Sequence, residues 1–362
     1  MSVVTASIER AYRALWVAVV FDLLAFGVGF SWDRQWHTTH PFEDFFSPPH
    51  LFIYTTHLCA TLTLAYIAFT PSLRAHFGRA LAFPPLPFPV PGAVALAAGG
   101  FVVTMLAGVF DAIWHTSFGL DETGWSFPHA MLGAGIFVAF VGVAGCRWSI
   151  RAERPIGWPS AIVFGFLLIA TASERFTGPI GTNLSRGYIE AVRSIPVLAA
   201  EPPFQHTARI YLAFDIDRMN ALFVPLASVS AGMALVLVRR FDPRPWLLIG
   251  LALVISRTSE YIPYVAPAIV LAIAGGRSRS LALRVAAGAA FAVLTALVWR
   301  GTAGGTLLGI ALFPAGMWIG ERIWDVVERP TRAAVVATVG VFGLAYPALT
   351  GIVDLALRAR VP

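Results

Sequence analysis

Residues 91–115 read PGAVALAAGGFVVTMLAGVFDAIWH. No ionisable side chain interrupts the run before Asp111. As a helix rising about 1.5 Å per residue, the run crosses a hydrocarbon layer about 30 Å thick. It ends on an acid and a histidine four residues apart. Its apolar part sets the fold class, and its polar end bears on function.

Working outward, comparable runs lie at 11–33, 50–70, 129–147, 157–173, 219–238, 281–299, 303–320 and 333–354. In the stretch 245–275 a single span would place Arg257 and Glu260 near its middle. Two short helices meeting around Ser256–Pro263 avoid burying those charges. Of the 362 residues, 57% are hydrophobic and 13% charged, with a mean hydropathy of +0.72. Soluble domains carry about 45–50% apolar and about 25% charged residues. The balance excludes a disordered chain, a disulfide scaffold and an ordinary cytosolic enzyme. Continuous rather than alternating apolar runs disfavour a β-barrel. The expected fold is all-α: a polytopic integral membrane helical bundle of about eleven membrane segments, with a duplicated helix hairpin near the N-terminus. It is read as a single membrane domain over 1–362, with hairpins over 11–147, a long extracytoplasmic loop at 174–218 and additional membrane helices over 245–354. The first run starts near Ala11, is long enough to span and ends at Asp33 rather than at a small-residue cleavage site, so no cleavable signal peptide is expected.

The net charge is +6 and every basic residue is arginine. The arginines sit singly or in small groups between apolar runs, which is membrane-orienting placement rather than a nucleic-acid surface. Arg10 and Arg13 precede the first run, Arg74 and Arg79 follow the second, Arg147, Arg151 and Arg154 the fourth, and Arg239, Arg240 and Arg244 the sixth. Arg277, Arg279, Arg284, Arg322, Arg329 and Arg332 join them on one side if 245–275 is a hairpin. The positive-inside rule makes that side cytoplasmic, with the N-terminus inside a bacterial inner membrane. The connections 31–50, 116–128 and 174–218 then face the periplasm. The proline-rich segment 80–92 is expected to be an extended cytoplasmic linker. Cys59 and Cys146 lie in apolar runs and read as small buried hydrophobes.

Two segments match. One reads Asp33-Arg-Gln-Trp36-His37-Thr38 and then Ser47-Pro-Pro49-His50. The other reads Asp111-Ala-Ile-Trp114-His115-Thr116 and then Ser126-Phe-Pro128-His129. Acid and histidine four apart share a helix face. The proline before His50 and before His129 suits a helix start, where its missing N–H costs nothing. Each hairpin therefore brings one carboxylate and two imidazoles together at the outer membrane boundary. That set suits copper, iron or zinc. Helix capping and interfacial charge are the bland alternatives.

Several other polar residues are candidates for supporting roles. His57 lies seven residues past His50 on the same face, with Tyr54 between them, and could orient a ligand or pass protons. Asp22 lies mid-span, eleven residues before Asp33, and reads as part of a proton path or as a hydrogen bond to a neighbouring helix. Loop residues His40, Glu43 and Asp44, and Asp121 and Glu122, could modulate a site. Asp22, His57, Asp121 and Glu122 are the catalytic candidates. Glu174 with Arg175, and Arg257 with Glu260, could pair between helices. His76 and His206 receive no role.

The patterns Asp-x3-His-x12-His (33, 37, 50) and Asp-x3-His-x13-His (111, 115, 129) resemble the metal-ligand motifs of the C subunit of copper membrane monooxygenases, the particulate methane and ammonia monooxygenases. The likeness covers about 30–135, with Asp111 where that family has asparagine. It implies one copper site at Asp33, His37 and His50 and a second at Asp111, His115 and His129. It further implies additional subunits, a membrane reductant such as quinol, and hydroxylation of a small apolar substrate by dioxygen. A metal-ion transporter or chaperone, and a zinc or iron membrane enzyme, would use the same ligands. Transport predicts further polar residues toward the cytoplasm, and only Asp22 and His57 qualify. Bis-histidine haem ligation needs facing histidines at mid-membrane, and a diiron enzyme needs more histidines on the cytoplasmic side.

Overall fold

The computed structural model describes residues 3–37, 45–118, 126–175, 216–255, 259–274, 280–299 and 301–358. Helix α1 (Val3–Leu23) runs through a π-helical turn (Leu24–Gly29) into α2 (Phe30–His37). Then come α3 (Pro48–Phe69), the single turn α4 (Pro71–Arg74), strands β1 (Ala80–Leu81) and β2 (Val90–Pro91), α5 (Gly92–Phe118) and α6 (Phe127–Ser149). Helices α7 (Trp158–Arg175), α8 (Ile216–Phe241), α9 (Pro245–Ile255), α10 (Val265–Ala274), α11 (Leu281–Trp299) and α12 (Ala303–Glu328) follow. Last is α13 (Arg332–Gly340), which passes through a second π-helical turn (Val341–Ala345) into α14 (Tyr346–Arg358).

Among the described residues, eight helices are long and apolar enough to cross a membrane: Ala6–Asp33, Pro48–Phe69, Gly92–Trp114, Phe127–Ser149, Val224–Phe241, Leu281–Val298, Ala303–Glu328 and Arg332–Ala356. Three shorter apolar helices cover Trp158–Ala172, Pro245–Ile255 and Ile262–Ala274. The stretch 245–275 is thus broken, with α9 and α10 separated by a 3-10 turn, Ser259–Tyr264, that contains Pro263. Proline cannot donate the helical hydrogen bond, which favours a break there. Arg257 and the Glu260 side chain lie outside the described residues.

The chain divides into two compact units. The first holds α1–α6, α13 and α14. Here α1 packs on α3, α5 packs along α6, and α13 and α14 lie against α5 and α6 respectively. Helix α6 is the most enclosed, with 89% of its apolar window buried. It touches α5 backbone to backbone: a Cβ on Gly100 would strike Ala139, and one on Gly142 would strike Ala97. Small residues at such crossings provide close van der Waals packing where lipid supplies no hydrophobic drive. Arg147 is buried, with its guanidinium 5.4 Å from the Tyr12 ring centre. Ser7 Oγ and His76 Nε2 lie 2.9 Å apart, tying the start of α1 to the segment after α4. The 80–92 segment is not a simple extended linker. β1 and β2 pair antiparallel, Ala80 opposite Pro91 and Leu81 opposite Val90, and the Leu86 amide donates to the Phe83 carbonyl at 2.8 Å. Prolines cannot donate to a ladder, so pairing is confined to the two ends.

In the second unit α8 packs along α12, with α11 beside α12 and α7 beside α8. A Cβ on Gly316 would strike the Val229 carbonyl. Arg239 donates to the Leu271 carbonyl at 2.8 Å, and Arg284 pairs with Glu321 at 2.6 Å. Arg244 lies over the Trp158 ring and bonds Asp242, whose carboxylate holds the guanidinium above its ordinary proton affinity.

Candidate metal centre

Both histidines that follow a proline occupy the same helical position. His50 and His129 are each the third residue of their helix. In each case the next residue makes the first intrahelical bond: the Leu51 amide donates to the Ser47 carbonyl at 3.0 Å and the Ala130 amide to the Ser126 carbonyl at 2.9 Å. Pro49 and Pro128 sit in the first turn, where backbone N–H groups have no intrahelical acceptor. The chain therefore enters both helices in the same way, and both imidazoles leave the first turn at equivalent points.

Each imidazole meets the acid of the preceding long helix. His50 Nε2 lies 3.2 Å from Asp33 Oδ1, with side-chain exposures of 13% and 16%. His129 Nδ1 lies 3.6 Å from Asp111 Oδ1, and here the imidazole is 39% exposed. The facing carboxylate oxygens are shielded from solvent. The environments differ in detail. The His50 ring lies against Tyr54, with centroids 5.7 Å apart, and Tyr54 stacks on Phe45 at 4.8 Å. His129 Nδ1 also lies 3.3 Å from Ser126 Oγ.

The donor chemistry suits a transition metal. Ligand bonds of about 2.0–2.1 Å at tetrahedral angles put oxygen and nitrogen about 3.3 Å apart, and both contacts lie near that separation. Asp33 with His50, and Asp111 with His129, are thus brought together. The side chains of His37 and His115, expected as third ligands, lie outside the described residues, as do Asp121 and Glu122. Among the described residues no group of three or more His, Cys, Asp or Glu is gathered closely enough to hold a metal ion. Also outside the described residues are His40, Glu43, Asp44 and His206, and the side chains of Glu174 and Arg175. Trp114 is buried and Trp36 half-buried.

The two deeper candidates contact each other. His57 Nδ1 lies 3.0 Å from Asp22 Oδ1, with the pair 2% and 0% exposed. Eleven residues put Asp22 and Asp33 on one face of an unbroken α-helix. The π-helical turn between them changes that register, yet both acids meet α3, at His57 and His50. Asp354, in α14, is a buried acid that belongs to neither of the two matching motifs. The signal for it is a lone carboxylate in the last apolar run.

No family model, curated protein or solved structure matches this chain. The fold and composition define the class: a multi-helical protein with helices suited to a lipid bilayer.

Proposed function

We propose that the chain is a membrane metalloprotein: a copper-dependent monooxygenase, or the metal-bearing subunit of one, that hydroxylates a small apolar substrate with dioxygen. One observation carries the reading, the Asp33–His50 and Asp111–His129 contacts at equivalent helix starts. In this reading the two hairpins are a duplicated unit, and His37 and His115 complete the ligand sets. The three short apolar helices join the eight long ones as about eleven membrane segments. The N-terminus is cytoplasmic in a bacterial inner membrane, and both centres sit near the periplasmic face.

Asp33 and Asp111 supply charge that offsets a cation, and His50 and His129 supply neutral nitrogen donors. A bound copper ion would supply one-electron redox chemistry at these positions. Tyr54, backed by Phe45, lies against the His50 ring and limits access of water to it. An apolar substrate arrives through the bilayer. One oxygen atom enters its C–H bond and the other leaves as water, while a quinol gives up two electrons and two protons. Further subunits accompany the chain.

The test is metal analysis with electron paramagnetic resonance on the purified full chain, comparing wild type with His37→Ala, His50→Ala and His115→Ala. Stoichiometric copper in wild type, reduced in each variant, supports the reading. Metal-free, folded wild-type protein after copper loading overturns it and leaves the two pairs as contacts that close helix junctions.

A further inference from the structure

Asp22 and His57 form a buried pair that the metal reading does not use. Asp22 lies in Ala6–Asp33 and His57 in Pro48–Phe69, both long enough to span a membrane. At about 1.5 Å per residue, His57 is roughly 10 Å further along α3 than His50. The pair is therefore a separate feature and not an outer shell of the Asp33–His50 contact.

Its surroundings are apolar. The imidazole packs edge to face on Phe101 of α5, with centroids 4.8 Å apart, and on Phe26 at 5.9 Å. Phe26 in turn meets Phe140 of α6 at 5.4 Å. On α1, α3, α5 and α6 the other described titratable side chains are His50, Tyr54, Cys59 and Tyr66 on α3, Glu9, Arg10, Tyr12 and Arg13 toward the start of α1, Asp111 on α5, and His129, Cys146 and Arg147 on α6. None of them makes the contacts just named, which are all to phenylalanine rings. His57 Nε2 and Asp22 Oδ2 are buried and have no hydrogen-bond partner among the described residues.

Charge accounting follows. A carboxylate beside a neutral imidazole leaves a full negative charge in an apolar box, and a buried uncompensated charge is the costliest state available. One added proton makes the pair neutral. That proton sits in the 3.0 Å contact between Oδ1 and Nδ1, whichever atom formally holds it, and Nε2 then carries the other hydrogen. An Nε2–H needs no oxygen acceptor here, because edge-to-face ring contacts allow a weak N–H···π interaction. Ionisable groups at membrane depth are expensive and commonly serve ion or proton movement. A π-helical turn begins two residues after Asp22, and such turns cluster at functional sites.

We propose that Asp22 and His57 form a proton-binding site within the bilayer, loading and releasing one proton as a unit, independently of any metal. The site goes beyond the oxidase reading and stands whether or not copper binds.

Infrared difference spectroscopy and 15N-histidine NMR on the full chain in lipid nanodiscs, between mildly acidic and mildly alkaline buffer, test it. The expected result is one pH-dependent carboxylic-acid carbonyl band, lost in Asp22→Asn and shifted in His57→Gln. One imidazole signal should titrate together with it. Asp33→Asn should leave both signals in place, which separates this site from the outer contact. If Asp22→Asn does not fold, the wild-type imidazole signal assigned through His57→Gln decides the matter alone. A His57 signal and carbonyl region that stay fixed across the pH range overturn the proposal and make the pair a locked structural contact. Loss of copper binding with these signals intact would count against the oxidase reading only.

Discussion

His129 turns Nδ1 toward Asp111, whereas His50 turns Nε2 toward Asp33. The same His129 nitrogen lies 3.3 Å from the Ser126 hydroxyl, while the hydroxyl of Ser47, the corresponding residue, is buried with no hydrogen-bond partner among the described residues. A metal held through Nδ1 must displace the serine contact, whose net worth is about 1 kcal/mol. On the proposed copper reading, Ser126→Ala is therefore expected to tighten metal binding at the second pair about fivefold and to leave the first unchanged. Competitive titration with a chromophoric copper chelator measures this. An equal change at both centres, or weaker binding at the second, would refute the displacement argument.

His50 is the more enclosed imidazole, and its ring is held by Tyr54. On the proposed copper reading, Tyr54→Ala removes that support and leaves Asp33 and His50 in place. Groups that orient a metal ligand are worth about 10–100-fold in affinity, and Tyr54→Ala should fall within that range at the first centre alone. Tyr54→Phe, which keeps the ring, should retain most of the affinity. If the two variants lose affinity equally, the hydroxyl rather than the packing is what matters.

The long apolar runs and the pairing of Asp33 with His50 and Asp111 with His129 were legible in the sequence, because helical periodicity and the N-terminal preference of proline are local rules. The break within 245–275 was legible as well, since charge and proline both oppose a continuous span there. The contact between Asp22 and His57 was not. It depends on how α1 and α3 cross, on a π-helical turn between the two acids, and on which phenylalanines close around it. Arg147 is a similar case. As a residue it is one more arginine after an apolar run, and only the packing of α6 shows it to be buried over Tyr12.

That burial separates two neighbouring arginines. Arg151 is exposed and stacks on Trp148 of its own turn, whereas Arg147 crosses to α1. Arg147→Ala should cost about 1–2 kcal/mol through the lost cation–π contact and the void left beneath it, and Arg151→Ala should produce no measurable change. Thermal unfolding in detergent, read by tryptophan fluorescence, compares them. Equal midpoints for the two variants would show that Arg147 contributes no packing.

Gly142 permits α5 and α6 to meet at Ala97 with no side chain between them. Valine there must push apart two helices that form the interior of the first unit. Overpacking in an interior costs about 1–3 kcal/mol, and since backbone rather than a flexible side chain is displaced, the upper end is expected. Gly304, whose Cβ would meet nothing within 4 Å, is the control, and Gly304→Val should be tolerated. Unfolding midpoints of the two variants give the comparison, and a mild Gly142→Val would mean that the crossing can shift.

The pair formed by Asp22 and His57 also predicts how stability responds when it is taken apart. Removing one partner strands the other in a box of Phe26 and Phe101, and an uncompensated buried group of this kind costs about 3–5 kcal/mol. Asp22→Leu and His57→Leu should each be destabilising on that scale. Replacing both removes the polar burden along with the contact, and apolar substitutes of similar volume are often neutral. The double variant should therefore be more stable than either single one, with a coupling free energy of about 2 kcal/mol or more. Unfolding titrations of the four proteins complete the cycle. Additive losses would mean that the two side chains contribute separately, and that the 3.0 Å contact between them does not hold the helices together.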